Sequence, residues 1–265
     1  MRIILKREKI MNKVEEFISK NAKYLIFLLL AGIVGGIFAG IYTFEITDPA
    51  LLEEALAEIG GKEAFIAVYV VQIIGYALFC GIVGKILANK IGLWRELRFE
   101  GKSCVVAAVS GLGVGAAMMA FELLWFSNVS EVIKSSYDVP PTISNFIASL
   151  IYGGIIEELM IRLFLMSLIA LILWKVFFKS EESVCAKALV IANLLSALLF
   201  AAGHIPATVM SIGITPIILI RCFLLNGGAG LVFGRLYRKR GIQYAMIAHA
   251  FAHIAMKLIW FIIAL

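Results

Sequence analysis

Apolar positions run along this chain in long unbroken stretches, at about 23–44, 64–88, 103–126, 143–178, 186–204, 208–234 and 243–265. Each is long enough, or nearly so, to cross a hydrocarbon layer of about 30 Å as a helix. None shows the apolar/polar alternation of a strand, and inside lipid a helix satisfies its own backbone hydrogen bonds. The pattern therefore predicts an all-α, polytopic transmembrane helix bundle. Polar loops are short, the longest at about 45–63 and 127–142, so residues 1–265 read as a single integral membrane domain.

One stretch resists a simple count. Ile143 to Phe178 is 36 residues, about 54 Å as one straight helix, more than one crossing needs. It is either one tilted, protruding helix or two short crossings broken near Glu157 to Arg162, giving seven or eight spans in all.

Composition agrees with a bilayer as the solvent: of 265 residues, 62% are hydrophobic and 16% charged. The formal net charge of +6 is explained by orientation rather than by nucleic acid, because Lys and Arg gather beside helix ends. The basic amphipathic segment Met1 to Lys20 carries six of them and the loop around Lys85 to Lys102 five, whereas the alternating loops carry one each. That asymmetry predicts a cytoplasmic N-terminus in the cell membrane, with the first apolar run retained as a helix. Cys80, Cys104, Cys185 and Cys222 stand singly and read as small core hydrophobes.

Ionisable residues within such stretches are costly, about 2.5–3.5 kcal/mol each on insertion scales, and mark candidate chemistry. Glu157 and Glu158 lie in IIEELMIR. On a helix Glu158 and Arg162 share a face and can pair, while Glu157 is turned away toward a cavity; a short interfacial loop in which all three meet water is the bland alternative. All three histidines of the chain also sit in apolar sequence: His204 closes Phe200-Ala-Ala-Gly-His, and His249 and His253 stand one turn apart in His-Ala-Phe-Ala-His. Such a pair can share a metal, hold a water or stabilise an oxyanion. Glu122 reads as a satisfied membrane carboxylate, Arg221 and Lys257 as snorkelling or capping cations, and the glycine-rich stretches Gly32 to Gly40 and Gly111 to Gly115 as close helix contacts.

The order E-E-x-x-x-R, F-x-x-x-H and H-x-x-x-H, in apolar helices and over roughly residues 140–260, resembles the CAAX protease and bacteriocin-processing family, whose members include Ras-converting CAAX endopeptidases. Gly230 to Tyr237 is similar to that family's glycine-containing helix with a basic end. The resemblance implies eight spans, catalytic helices at about 140–260, and an intramembrane endopeptidase that removes the last three residues after a prenylated cysteine. For that reaction the residues themselves suggest Glu157 as base on a water shared with His204, Glu158 and Arg162 as its support, and His249 and His253 as oxyanion stabilisers. The family's last motif usually ends in Asn, where this chain has His253; both side chains can donate a hydrogen bond. No cofactor is expected, with Zn²⁺ held by Glu157, His204, His249 and His253 as the runner-up. The expected partners are a prenylated or membrane-embedded peptide and the lipid bilayer. A non-catalytic immunity or scaffold protein, or a proton-coupled transporter, uses the same buried set differently.

Overall fold

The computed structural model describes residues 2–265, with side chains from residue 11 onward except 13 and 14, so the side chains of much of the basic N-terminal segment lie outside the described residues. Nine helices organise the described residues. The long ones are α1 (Arg2–Ile46), α3 (Lys62–Lys90), α4 (Gly101–Val129), α6 (Ile143–Phe177), α7 (Ala186–Ile212), α8 (Pro216–Arg240) and α9 (Ile242–Ile263). Short helices α2 (Pro49–Ile59) and α5 (Glu131–Ser135) occupy the two longest polar loops. No strand occurs among the described residues.

Among the described residues seven helices are thus long and apolar enough to span a membrane, and their outward faces stay apolar, with Val71 72% and Leu124 78% exposed. Large apolar residues tolerate such exposure when lipid is the neighbour. The chain is an integral, multi-pass membrane protein.

Two expectations about the spans change. The Ile143–Phe177 stretch is one helix of 35 residues, so the eight-span count implied by resemblance is not what the described residues form. From Ser149 to Met166 its hydrogen bonding is mostly i→i+5, a wider winding that lets the helix continue past Glu157 to Arg162 without a break. The next two spans also divide later than the apolar runs indicate: α7 continues to Ile212 and α8 starts at Pro216. The division falls at Gly213, whose φ of 76° ends one helix, and at Thr215, whose side chain accepts from the Ile218 N–H to start the next.

α6 is the axis of the bundle. It packs on α1 and α3 along one flank and on α7, α8 and α9 along the other, and α4 closes against α9. Glycines mark the closest approaches: a Cβ on Gly32 of α1 would stand 2.8 Å from the Ile74 Cα of α3, and Gly111 of α4 lies directly against the Ala248 carbonyl of α9. Small residues there let the backbones meet and leave the larger side chains of α6 to α9 to fill the interior. Cys80 and Cys222 are buried, Cys104 and Cys185 half-buried, and all four are free.

Candidate active site

α6 brings Glu157, Glu158 and Arg162 into the interior within the widely wound segment. Irregular winding of this kind is common where a helix must aim side chains at a site. Arg162 Nη1 lies 3.0 Å from Glu158 Oε1, and both side chains are fully buried. The two charges compensate each other where water cannot. The guanidinium face rests on the Phe200 ring, 4.4 Å from its centroid, and Phe233 lies 5.6 Å away on another side. Aromatic faces are a favourable surround for a desolvated cation.

His249 joins the two glutamates from α9. Its Nδ1 is 2.8 Å from Glu158 Oε1 and its Nε2 is 3.8 Å from Glu157 Oε2. A carboxylate can only accept, so Nδ1–H is the donor and Nε2 is left with a lone pair facing Glu157. Phe233 stacks on the imidazole at 4.6 Å between centroids and fixes its plane.

His204 is held differently. It lies at the turn inside α7, two residues before Pro206, which cannot donate to the preceding turn and so interrupts the helix there. Its Nδ1–H donates to the Phe200 carbonyl at 2.8 Å, and its Nε2 stands 4.0 Å from Glu157 Oε1. By the same reasoning this Nε2 also presents a lone pair. His253 stacks on His249 at 4.9 Å, its Nδ1 has no partner among the described residues, and Gly153 of α6 makes room for it: a Cβ there would fall 2.6 Å from Nε2.

The six residues picked out by sequence thus form one contact chain, with a closed side and an open one. Glu158 and Arg162 have no exposed side-chain surface, whereas Glu157 is 18% and His204 32% exposed. The Glu157 carboxylate is faced by two imidazole Nε2 atoms, His204 at Oε1 and His249 at Oε2, at separations too long for direct hydrogen bonds. The 4.0 Å gap between Glu157 Oε1 and His204 Nε2, on the open side, suits a bridging water. Among the described residues no three His, Cys, Asp or Glu side chains stand at the spacing a metal ion requires.

Residues 139–255 match the family described as type II CAAX prenyl endopeptidase, Rce1-like. The match covers less than half of the chain and shows similarity to that family over this segment. No curated protein and no solved structure matches the chain. The Rce1-like domain starts just ahead of α6 and ends inside α9, so all six site residues lie within it, while α1, α3 and α4 lie outside.

Three residues of the Rce1-like domain complete the site without having been singled out as part of it. Phe233 packs under both His249 and Arg162; Gly230 clears the Arg162 guanidinium, where a Cβ would fall 3.1 Å from Nη2; Gly153 clears His253. Glu122 lies elsewhere. It is buried and forms a bidentate ion pair with Arg221 of α8, so Arg221 neither snorkels nor caps a helix end. Lys257 stands over the Trp260 ring at 4.6 Å.

Proposed function

We propose that the protein is an intramembrane endopeptidase of the Rce1-like kind, acting on the C-terminal tripeptide that follows a prenylated cysteine. The observation that carries this reading is the Glu157 carboxylate on the open side of the cluster, faced by the Nε2 atoms of His204 and His249 at 4.0 and 3.8 Å. In the reaction a water at that point loses a proton to Glu157 as its oxygen bonds to the scissile carbonyl carbon. The carbonyl oxygen becomes an oxyanion, and an imidazole N–H of His253 donates to it. The tetrahedral intermediate collapses by breaking the C–N bond, and Glu157 returns the proton to the leaving amine nitrogen. Glu158 and Arg162 touch neither water nor substrate; they hold His249 in the tautomer that keeps its Nε2 available.

The roles sharpen those drawn from spacing. His249 in this reading serves the water-activating side, because it contacts both glutamates. In this reading no cofactor takes part. A second reading, Zn²⁺ held by Glu157, His204, His249 and His253, is favoured only by the donor chemistry of those side chains, which do not stand at metal spacing among the described residues. Cleavage of a prenylated CAAX peptide by detergent-solubilised parent and Glu157→Gln tests the first reading. The variant is expected to fold and to lose activity by about 10²–10⁴-fold, the usual worth of a positioned base. A zinc-selective chelator that abolishes parent activity, with recovery on Zn²⁺ addition, would establish the second.

We also infer a cytoplasmic N-terminus. With seven crossings it puts the Lys85 to Lys102 loop, Lys175 to Lys187 and Arg235 to Arg240 on one side, and the sparsely charged loops on the other.

A further inference from the structure

A second polar site lies at the basic end of the bundle, separate from the glutamate–histidine cluster. The 91–100 loop, the start of α4, the last turns of α8 and the start of α9 enclose a pocket of about 850 Å³. Arg95 and Arg98 enter it from the loop, and Arg235, Lys239 and Arg240 from α8. Only two acidic residues, Glu96 and Glu100, share the lining, which leaves three positive charges uncompensated. None of the five cations comes within 4.0 Å of a carboxylate among the described residues.

The pocket wall is built rather than incidental. Arg240 Nη1 donates to the buried Ser103 hydroxyl at 2.6 Å, and that hydroxyl donates to Glu100 Oε2 at 2.7 Å. Gln243 Nε2 donates to the Arg98 carbonyl at 3.0 Å, and the Tyr244 hydroxyl accepts from the Glu100 N–H at 2.9 Å, which pins the loop over the pocket. Gln243 is itself 4% exposed, and its Oε1 has no donor among the described residues. A buried acceptor beside a surplus of cations suits a ligand that carries both a negative charge and a hydroxyl.

The pocket's apolar side indicates what bears that group. From the charged rim it runs along Val106 and Ser110 of α4 and Val232 and Leu236 of α8, beside the exposed Val105 and Val109 of α4 and Leu231 of α8. A water-soluble anion uses only the rim; an amphiphile uses both. We propose that this pocket binds the phosphodiester headgroup of an anionic glycerophospholipid, its phosphate among Arg235, Lys239 and Arg240, a headgroup hydroxyl on Gln243 Oε1, and an acyl chain along Val106 and Val232. Basic pockets between membrane helices are suited to such headgroups, and the inferred orientation puts this one at the cytoplasmic leaflet, where anionic lipid is enriched.

Native mass spectrometry of the detergent-purified full chain, offered equal phosphatidylglycerol and phosphatidylcholine, tests the proposal. The parent is expected to retain phosphatidylglycerol preferentially, and an Arg235→Gln/Lys239→Gln variant to lose that preference by about tenfold or more. Arg98→Gln, on the exposed loop, provides a second, milder reading should the double variant fail to fold; it is expected to reduce the preference in the same direction. Ser110→Leu, which narrows the apolar side, is expected to weaken phosphatidylglycerol retention while leaving any inorganic phosphate binding in place. Equal retention of the two lipids by the parent, or parent-like retention by Arg98→Gln and the double variant, would overturn the proposal. So would displacement of phosphatidylglycerol by millimolar inorganic phosphate or by an acidic peptide, which would assign the rim to a soluble anion or a peptide instead.

Discussion

Glu157 and Glu158 are neighbours in sequence with opposite surroundings, and the consequences of changing each differ accordingly. Removing Arg162 leaves Glu158 charged in a fully buried position, so Arg162→Ala is expected to destabilise by about 3–5 kcal/mol, read as a large drop in thermal unfolding temperature in detergent. Arg162→Met together with Glu158→Leu removes both charges and is expected to recover much of that loss while leaving cleavage impaired, because His249 loses its tether. His253→Asn is expected to keep substantial activity, since an amide can donate the oxyanion hydrogen bond, whereas His253→Leu abolishes it. Parent-like cleavage by the leucine variant would remove His253 from the mechanism. Helical spacing made the Glu158–Arg162 register legible in the sequence. The His249–Glu158 bond was not, because it joins helices ninety-one positions apart and local periodicity carries no information on how one helix is registered against another. The Glu122–Arg221 pair escaped for the same reason, at a separation of ninety-nine.

Helix α6 carries the chemistry because it is continuous and yet irregular. A regular break at Glu157 to Arg162 would expose backbone groups at membrane depth, and the wider winding avoids that while turning two adjacent carboxylates to different sides. Apolar run length cannot distinguish these outcomes, which is why the stretch was legible as a membrane segment but not as one span or two. The α7–α8 division was hidden too: Pro206 looks like the stronger breaker, but it only kinks α7 and leaves His204 at the bend, while Gly213 with its positive φ ends the helix. Close packing at the glycines sets a sharp limit on α6. Gly153→Ala would drive a methyl to within 2.6 Å of His253 Nε2, so the ring must move; the expected result is a folded protein with cleavage reduced at least about tenfold. Unchanged kcat/KM in Gly153→Ala would show that His253 is free to shift without consequence. Glu122→Gln, by contrast, weakens the α4–α8 pairing with Arg221 and is expected to lower thermal stability while leaving the rate per folded molecule unchanged.

Across the whole molecule the charges divide by side as well as by site. All-helical character and membrane residence were legible from run length alone, since nothing but lipid accommodates so many long apolar segments. Orientation rests on the basic loops, and a topology reporter fused after Leu265 is expected to signal from the outside, one fused near Glu181 from the cytoplasm. The reverse pattern would invert the inferred arrangement. Helices α1, α3 and α4, outside the Rce1-like domain, carry none of the six site residues, yet α1 and α3 flank α6 and α4 closes on α9, so they support the two helices that bear Glu157 and His249. What the bundle achieves is a single open carboxylate backed by a sealed ion pair. The most direct measurement of that claim is cleavage of a prenylated CAAX peptide by purified parent and Glu157→Gln, compared at equal folded concentration as judged by their unfolding curves. Tripeptide release by the parent is expected, with a loss of about 10²–10⁴-fold in the variant and folding retained. Equal cleavage by the two proteins would contradict it.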